Sequence, residues 1–240
     1  MYYLTGFHAI EEQIKKSSER GVLYFCTHST RIDAILRLAG EKGVRSEETS
    51  RPEIERMAGP EHRGLVLALE PGNESGEREF KEFLAAADTG KNPLIIILDS
   101  ITDPHNYGAI LRSADQFSAD AVVVRERRSA RETAVVAQSS AGALAYLRIF
   151  TVSNLVRSAE DMKKAGFWIF GAAMEGVPAP KAKFKGPAVL VLGSEGSGIS
   201  RLLKERCDTL VSIPTAGHVD SLNVSVAAGI LMYEIRRQQG

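Results

Sequence analysis

The chain has 240 residues, of which 44% are hydrophobic and 25% charged, which is typical of a soluble globular protein and excludes a chain that is disordered throughout. Its 30 lysines and arginines balance its 30 aspartates and glutamates, so the net charge gives no evidence for a polyanionic partner, and a nucleic-acid surface would need local segregation of charge. The two cysteines, Cys26 and Cys207, form no CxxC pair, which argues against a disulfide framework and against a zinc site.

The amino-terminal residues lack the basic segment and apolar stretch of a secretory signal. The strongest apolar runs, residues 94–98 and 188–192, are far shorter than the roughly 20 residues that a membrane-spanning helix needs. We therefore expect a cytoplasmic protein that has no membrane segment.

Residues 1–70 alternate helical and strand-like patterns. The apolar spacing predicts helices over residues 6–16 and around Ile35, and strands over residues 22–25 and 64–69. We therefore predict a small α/β domain over residues 1–70.

Residues 71–92 begin with turn-forming and acidic residues that show no apolar periodicity, so we predict an exposed linker there. In residues 93–240, short apolar runs recur and are mostly separated by amphipathic segments, as in a parallel sheet that is covered on both faces. The runs lie at residues 94–98, 121–124, 167–170, 188–192 and 210–213. We predict an α/β domain over residues 93–240, with ligands bound where its strands end.

The loop after the first of these runs reads DPHNYGAILR, residues 103–112. Asn106 is predicted to cap the following helix, and Ile110 and Leu111 to belong to its buried stripe. Arg112 lies outside that stripe. Taken alone, the segment is more commonly a capped helix with a solvated arginine.

A glycine-rich loop, GSEGSGIS, follows the run at residues 188–192. It nearly matches the phosphate loop GxxxxGK[ST], but Ile199 stands at the lysine position, which disfavours a nucleoside triphosphatase. Its glycines also fail the GxGxxG pattern of dinucleotide-binding proteins. Gly193 and Gly196 would let a ligand approach backbone amides beside Glu195, although a plain glycine turn remains an alternative.

The third loop precedes the last helix, within residues 213–229. Ser221 is predicted to cap this helix, while Asn223 and Ser225 add polar groups to its first turn. The predicted apolar face of the helix comprises Val226, Ala227, Ile230, Leu231 and Ile235. A capped terminal helix without chemistry would be the default for this segment alone.

Together, the three segments resemble the signature motifs of the SpoU/TrmH family of RNA 2′-O-ribose methyltransferases, in the SPOUT superfamily. The motifs are DPHNYGAILR (residues 103–112), LVLGSEGSGIS (residues 190–200) and IPTAGHVDSLNVSVAAG (residues 213–229), in the family's order.

More loosely, residues 1–70 resemble the substrate-binding domain of the RlmB-like branch, which is related to kink-turn-binding ribosomal proteins. Gly6, Ala9 and the His62-Arg63-Gly64 tripeptide carry this likeness. Relatives often have glutamine where this chain has Arg63.

The resemblance implies a mostly parallel sheet whose carboxy-terminal segment forms a trefoil knot, S-adenosylmethionine as cofactor, and a homodimer with its active site near the interface. Backbone groups of Gly193, Ile213 and Leu222 would hold the adenosine, with Glu195 and Gly196 lining the same loop. No metal is required for the reaction.

The family pattern also implies the catalytic set. Asn106 and Arg112 would face the target ribose and its phosphate, and Glu195, Ser221 and Asn223 would complete the polar pocket. In this family Arg112 is often assigned as general base, but a guanidinium rarely loses its proton, so we favour an electrostatic role.

The implied substrate is RNA, with a guanosine of 23S rRNA favoured over transfer RNA. A non-catalytic RNA-binding homologue and a Rossmann-type nucleotide-binding enzyme are the alternatives. Two basic clusters could contact phosphate or remain ordinary surface. They comprise Arg125, Arg127, Arg128 and Arg131, and Lys181, Lys183 and Lys185.

Overall fold

The computed structural model describes residues 2–16, 21–60, 62–69, 74–125, 136, 139–140, 142–218 and 221–240. The chain forms two compact units. The amino-terminal unit comprises Met1–Asn73 together with Arg128–Tyr146, and the carboxy-terminal unit comprises Glu74–Arg127 together with Leu147–Gly240.

The amino-terminal unit contains a four-stranded sheet in the order β1-β4-β2-β3. Strand β4 pairs antiparallel with β1 and β2, whereas β2 and β3 pair in parallel. The strands are β1 (Tyr2–Leu4), β2 (Gly21–Phe25), β3 (Arg45–Glu48) and β4 (Leu65–Leu69), and the helices are α1 (Phe7–Lys16), α2 (Thr30–Glu41) and α3 (Arg51–Ala58). This confirms the small α/β unit predicted from the apolar spacing.

Helices α1 and α2 bury their apolar stripes against this sheet. Ile10 of α1, Ile35 of α2 and Leu23 of β2 are each 0% exposed and belong to one hydrophobic cluster. Ser29 caps α2, because its hydroxyl accepts a hydrogen bond from the Ile32 amide at 3.2 Å.

The carboxy-terminal unit contains a seven-stranded sheet in the order β11-β9-β10-β6-β7-β8-β5, and all its pairings are parallel. The strands are β5 (Glu74–Ser75), β6 (Leu94–Leu98), β7 (Ala121–Arg125), β8 (Ile149–Val152), β9 (Trp168–Pro178), β10 (Ala188–Leu192) and β11 (Thr209–Ser212). The described helices are α4 (Glu77–Ala86), α5 (Pro104–Gln116), α6 (Leu155–Lys164), α7 (Arg201–Lys204) and α8 (Val224–Gln239).

The central strands β6 and β10 are buried along their whole length. Ile95 and Val189 face the cluster that includes Phe80 of α4 and Met162 of α6. Because successive strand residues point to opposite faces, Ile96 faces the other side, where it is also 0% exposed. The predicted parallel sheet, covered on both faces, is therefore confirmed, while the trefoil knot stays a prediction.

The segment predicted as a linker, residues 71–92, contains regular structure. Strand β5 pairs with β8, and α4 buries Phe80 and Leu84. These residues lie one helical turn apart, so they place two apolar side chains on one helix face, a spacing that the acidic composition of the segment concealed. The boundaries at residues 70 and 93 stay predictions.

Within the described ranges, no helix is both long and apolar enough to cross a membrane.

Candidate active site

The loops that carry the three motifs leave the sheet at one edge. Strands β6 and β10 are parallel neighbours that end level, with Leu98 opposite Leu192. The amide of Asp99 extends their pairing by donating to the Leu192 carbonyl at 2.9 Å. Parallel strands present all their carboxyl ends at the same edge, where open α/β sheets bind ligands.

In the first loop, Asp103 caps α5 and Pro104 occupies the first turn. The carboxylate of Asp103 accepts a hydrogen bond from the Asn106 amide at 2.9 Å. The prediction that Asn106 is the cap was wrong, because proline favours the first helical position and makes the preceding residue the cap. The side chain of Asn106 is therefore available for contacts outside its own helix.

Helix α5 buries the predicted stripe, including Ile110 and Leu111, and leaves Arg112 exposed. At about 100° per residue, Arg112 and Asn106 lie about 120° apart around the helix axis. No ion pair or hydrogen bond of Arg112 is found within the part of the chain that the structure describes.

The second loop closes on itself. Ser194 and Gly198 exchange two backbone hydrogen bonds, of 3.1 and 3.0 Å. A Cβ atom at Gly193 would lie 2.0 Å from the Gly198 carbonyl carbon, so backbone packing requires glycine at this position. The closed turn presents Glu195 and Gly196 to solvent at its tip.

Asp99, which the sequence analysis did not select, connects the first and second loops. It is 7% exposed, and its carboxylate accepts hydrogen bonds from the Ser200 amide at 2.7 Å and the Ser100 hydroxyl at 3.2 Å. An acidic residue directly after a fully apolar strand was the available signal. Asp99 holds the two loops in a fixed relative position.

In the third loop, Asn223 caps α8. Its side-chain oxygen accepts hydrogen bonds from the Ser225 and Val226 amides, at 2.9 and 3.4 Å. The prediction that Ser221 is the cap was wrong, because α8 begins at Val224 and the residue directly before it meets these amides. Ser221 is exposed and makes no hydrogen bond to any described residue.

The apolar face predicted for α8 divides into two. Leu231 and Ile235 are buried as expected, but Val226 and Ile230 are 50% and 40% exposed. The buried face of α8 also includes Ala228 and Met232, which the predicted apolar face did not contain. Helix α8 therefore has a buried apolar face and, separate from it, a solvent-exposed apolar stripe that contains Val226 and Ile230.

Asn106, Glu195 and Asn223 form one hydrogen-bonded network. The amide nitrogen of Asn223 donates to Oε1 of Glu195 at 2.6 Å and to Oδ1 of Asn106 at 2.9 Å. The amide nitrogen of Asn106 donates to the same Oε1 at 2.9 Å, and the Val224 amide approaches it at 3.4 Å. Three of the predicted site residues, one from each motif, thus meet in space.

The capping bonds decide how this network is oriented. Because the oxygen of Asn223 faces the amides of α8, its nitrogen must face Glu195 and Asn106. Oε1 of Glu195 accepts three N–H donors, whereas its exposed Oε2 makes no hydrogen bond to a described residue. The site therefore presents an oriented carboxylate oxygen that can accept a hydrogen bond from a hydroxyl group.

The residues predicted to bind the cofactor lie around this network. Ile213 directly follows β11, and Leu222, 37% exposed, directly precedes Asn223. Gly193 is buried at the base of the second loop, while the space around Gly196 is open. Their binding roles stay predictions.

The predicted basic clusters are described only in part. Arg125, the last residue of β7, is exposed, while Arg127, Arg128 and Arg131 lie outside the described residues. Lys181, Lys183 and Lys185 are exposed and alternate with the buried Ala182 and Phe184. In the described part of the chain, no group of three or more histidine, cysteine, aspartate or glutamate side chains could hold a metal ion.

Comparisons with known proteins agree with the three motifs. Residues 93–233 match the model of the SpoU rRNA Methylase family, and residues 3–75 match that of the RNA 2′-O ribose methyltransferase substrate-binding domain.

Two curated proteins match over nearly their whole length. The 23S rRNA (guanosine-2′-O-)-methyltransferase RlmB of Shewanella oneidensis is 38% identical, over 98% of this chain and 97% of that protein. The putative TrmH family tRNA/rRNA methyltransferase YacO of Bacillus subtilis is 35% identical, over 99% of this chain and 96% of that protein.

A solved structure shares the fold. The SpoU methyltransferase AviRb of Streptomyces viridochromogenes, solved in complex with the cofactor AdoMet, superposes with a TM-score of 0.79 at 23% identity. The match covers 98% of this chain and 89% of that one.

Proposed function

The chain belongs to the SpoU rRNA Methylase family, and from this membership we propose that it methylates a ribose 2′-hydroxyl of RNA with S-adenosylmethionine as the methyl donor. The network of Asn106, Glu195 and Asn223 is the observation that carries the proposal, because it joins all three motifs in one polar site. The part that each of these three residues plays in the reaction is inferred from the geometry of the network and from the family resemblance.

The cofactor fits the loops around this network. Exposed Leu222 and half-buried Ile213 offer apolar surface to an adenine ring, and the open space at Gly196 admits a ligand close to the backbone. When bound, the sulfonium supplies an already activated methyl group. The chain therefore has to align the hydroxyl and stabilise its oxygen as the proton leaves.

Glu195 and Arg112 divide this task. The free Oε2 of Glu195 accepts a hydrogen bond from the 2′-hydroxyl and takes its proton as the oxygen is methylated, while Asn106 and Asn223 keep the carboxylate in place. The guanidinium of Arg112 binds the adjacent phosphate and stabilises developing alkoxide charge, which it does without losing its own proton. Arg112→Lys and Arg112→Ala should lose methyl transfer while retaining cofactor affinity, and near-normal turnover in either variant would contradict this role.

The substrate proposed for the chain is a guanosine of 23S rRNA. The name of the RlmB relative supports this choice, and the match of residues 3–75 to a substrate-binding domain supports an RNA partner. Methylation of transfer RNA is the second candidate, since the name of YacO includes both RNA classes.

Incorporation of labelled methyl groups tests the proposal. Purified chain should transfer radioactive methyl from S-adenosylmethionine to unmodified 23S rRNA, and mapping of 2′-O-methylation should locate one guanosine. A Glu195→Gln variant with intact fold should lose most of the transfer. Cofactor and RNA binding without any methyl transfer would instead identify a non-catalytic homologue.

We also propose that the chain is a homodimer. Val226, Ile230 and Tyr233 form a stripe along α8 at helical spacing, and each is at least 40% exposed. A second copy that covers this stripe would remove its apolar surface from water.

Sedimentation of Ile230→Asp tests the dimer. The charge should convert dimers to monomers while the fold is retained, because Ile230 does not pack in the core. Leu202→Asp, at another exposed apolar position, is the matched control. A monomeric native chain would contradict the proposal.

A further inference from the structure

Arg63 occupies an uncommon backbone conformation for its residue type. Its φ angle is +50°, in the left-handed region where side chains other than glycine and asparagine cost on the order of 1 kcal/mol. The following Gly64 is also left-handed, with φ +82°. The turn before β4 therefore holds a long, charged side chain at a position that glycine would occupy with less strain.

The surrounding structure fixes this turn. The ring of His62, 1% exposed, accepts a hydrogen bond from the Gly64 amide through Nδ1 at 2.9 Å, and its buried Nε2 has no hydrogen-bond partner among the described residues. The Gly64 carbonyl accepts from the Cys26 amide at 3.0 Å, which ties the turn to the end of β2. A Cβ atom at Gly64 would lie 2.5 Å from the Thr27 methyl group. Arg63 is thus displayed by a turn that has little freedom to move.

The side chain of Arg63 is exposed and makes no hydrogen bond or ion pair with a described residue that would offset this strain. Every other arginine described in the amino-terminal unit bonds to a protein oxygen. The pairs are Arg31 with Glu11, Arg37 with the Asp33 carbonyl, Arg45 with Glu47, Arg51 with Glu55 and Arg56 with Glu53. Among the described residues of this unit, Arg63 alone is an arginine without such a bond.

We propose that Arg63 is an RNA-binding residue whose guanidinium contacts a phosphate of the substrate. The inference rests on the proposed function and adds a contact in the amino-terminal unit, which does not contain the residues proposed to perform methyl transfer. A planar guanidinium with five donors suits phosphate, and a rigid turn lowers the entropy cost of forming the contact. Backbone strain that serves no internal contact is typical of positions retained for binding.

The salt dependence of RNA binding tests this contact. Full-length chain is titrated with in-vitro-transcribed 23S rRNA over a range of NaCl concentrations, as native protein, Arg63→Gly, Arg63→Lys and the control Arg56→Ala. Removal of one phosphate-binding charge makes the plot of log affinity against log salt less steep by about 0.7–0.9. Between 1 M and 0.1 M salt, the variant therefore gains roughly 5- to 8-fold less affinity than the native chain. Arg63→Gly should show this decrease, and Arg56→Ala should not.

The variants separate charge from folding. Arg63→Gly should melt no lower than the native chain, because glycine relieves the left-handed strain. Arg63→Lys should keep the native slope, since lysine also neutralises a phosphate. An unchanged slope in Arg63→Gly, or an equal decrease in Arg63→Lys, would overturn the proposal. If the native chain methylates RNA and Arg63→Gly binds RNA normally, only the Arg63 contact is rejected. If the native chain binds no RNA, the proposed function and the Arg63 contact are both rejected.

Discussion

Substitutions of Asn223 can separate its two roles, because its two side-chain atoms perform different tasks. The oxygen caps α8, and the nitrogen donates to Glu195 and Asn106. Asn223→Ser keeps a capping oxygen but loses the amide donor, and its single hydroxyl is too short to replace both bonds of that donor, whereas Asn223→Ala loses cap and donor together. Comparison of the two variants therefore reports the effect of the cap as a change in stability and the effect of the amide donor as a change in activity.

The structure sets the expected magnitudes. Loss of an N-cap costs about 1 kcal/mol, which for a chain of this size lowers Tm by roughly 2–4 °C. Asn223→Ala should show that decrease, and Asn223→Ser should change Tm by less than about 1 °C. A hydrogen bond to a charged group is worth about 1.5–3 kcal/mol, and solvent at exposed Glu195 reduces this to about 1.4 kcal/mol, or tenfold in kcat/KM.

Both variants should therefore lose about tenfold in methyl transfer, while only the alanine variant loses stability. Calorimetry gives Tm, and labelled methyl incorporation at subsaturating RNA gives kcat/KM. Full activity in Asn223→Ser would show that the donor does not hold Glu195 for the reaction. An unchanged Tm in Asn223→Ala would show that the capping bonds do not stabilise α8.

Three further predictions concern the same unit. Gly193→Ala should lower Tm by at least about 6 °C, because overpacking a well-packed site costs on the order of 3 kcal/mol and the new Cβ would meet Gly198 backbone at 2.0 Å; an unshifted melting curve would contradict this packing. Asp99→Ala should cost about 1 kcal/mol in denaturant unfolding, since the part-buried Ser200 amide loses its acceptor, whereas Asp99→Asn should lose less. Burial raises the pKa of the Cys207 thiol to about 11. The free energy that the protonated thiol contributes to folding is therefore complete below about pH 9, where the unfolded thiol titrates, and is lost as pH rises towards 11. The free energy of unfolding of Cys207→Ser should not show this decrease between pH 9 and 11.

The positions of the strands and helices could be predicted from sequence because they follow from local spacing. The apolar runs at residues 94–98 and 188–192 became β6 and β10 with the same bounds, since fully buried parallel strands need unbroken apolar sequence. The helix Glu77–Ala86 was missed although Phe80, Phe83 and Leu84 have helical spacing, because the turn-forming and acidic residues before it indicated a linker.

The helix caps show where local reasoning failed. Asn106 and Ser221 were each suitable cap residues by type, yet Asp103 and Asn223 hold the capping positions. Several cap formers stand close together in both loops, so residue type alone could not fix where each helix begins. The first turn of the helix decides, because only one side chain meets its free amides.

The sequence by itself determined the fold class, the family and the three segments that carry chemistry, since each depends on residues that are close along the chain. Only the tertiary structure decided that Asn106 bonds to Glu195 across 89 positions and to Asn223 across 117. Those contacts depend on β6 and β10 being neighbours in the sheet, an order that no local pattern encodes. That Arg63 has no hydrogen-bond or ion-pair partner among the described residues became evident in the same way, once the partners of the other described arginines were known.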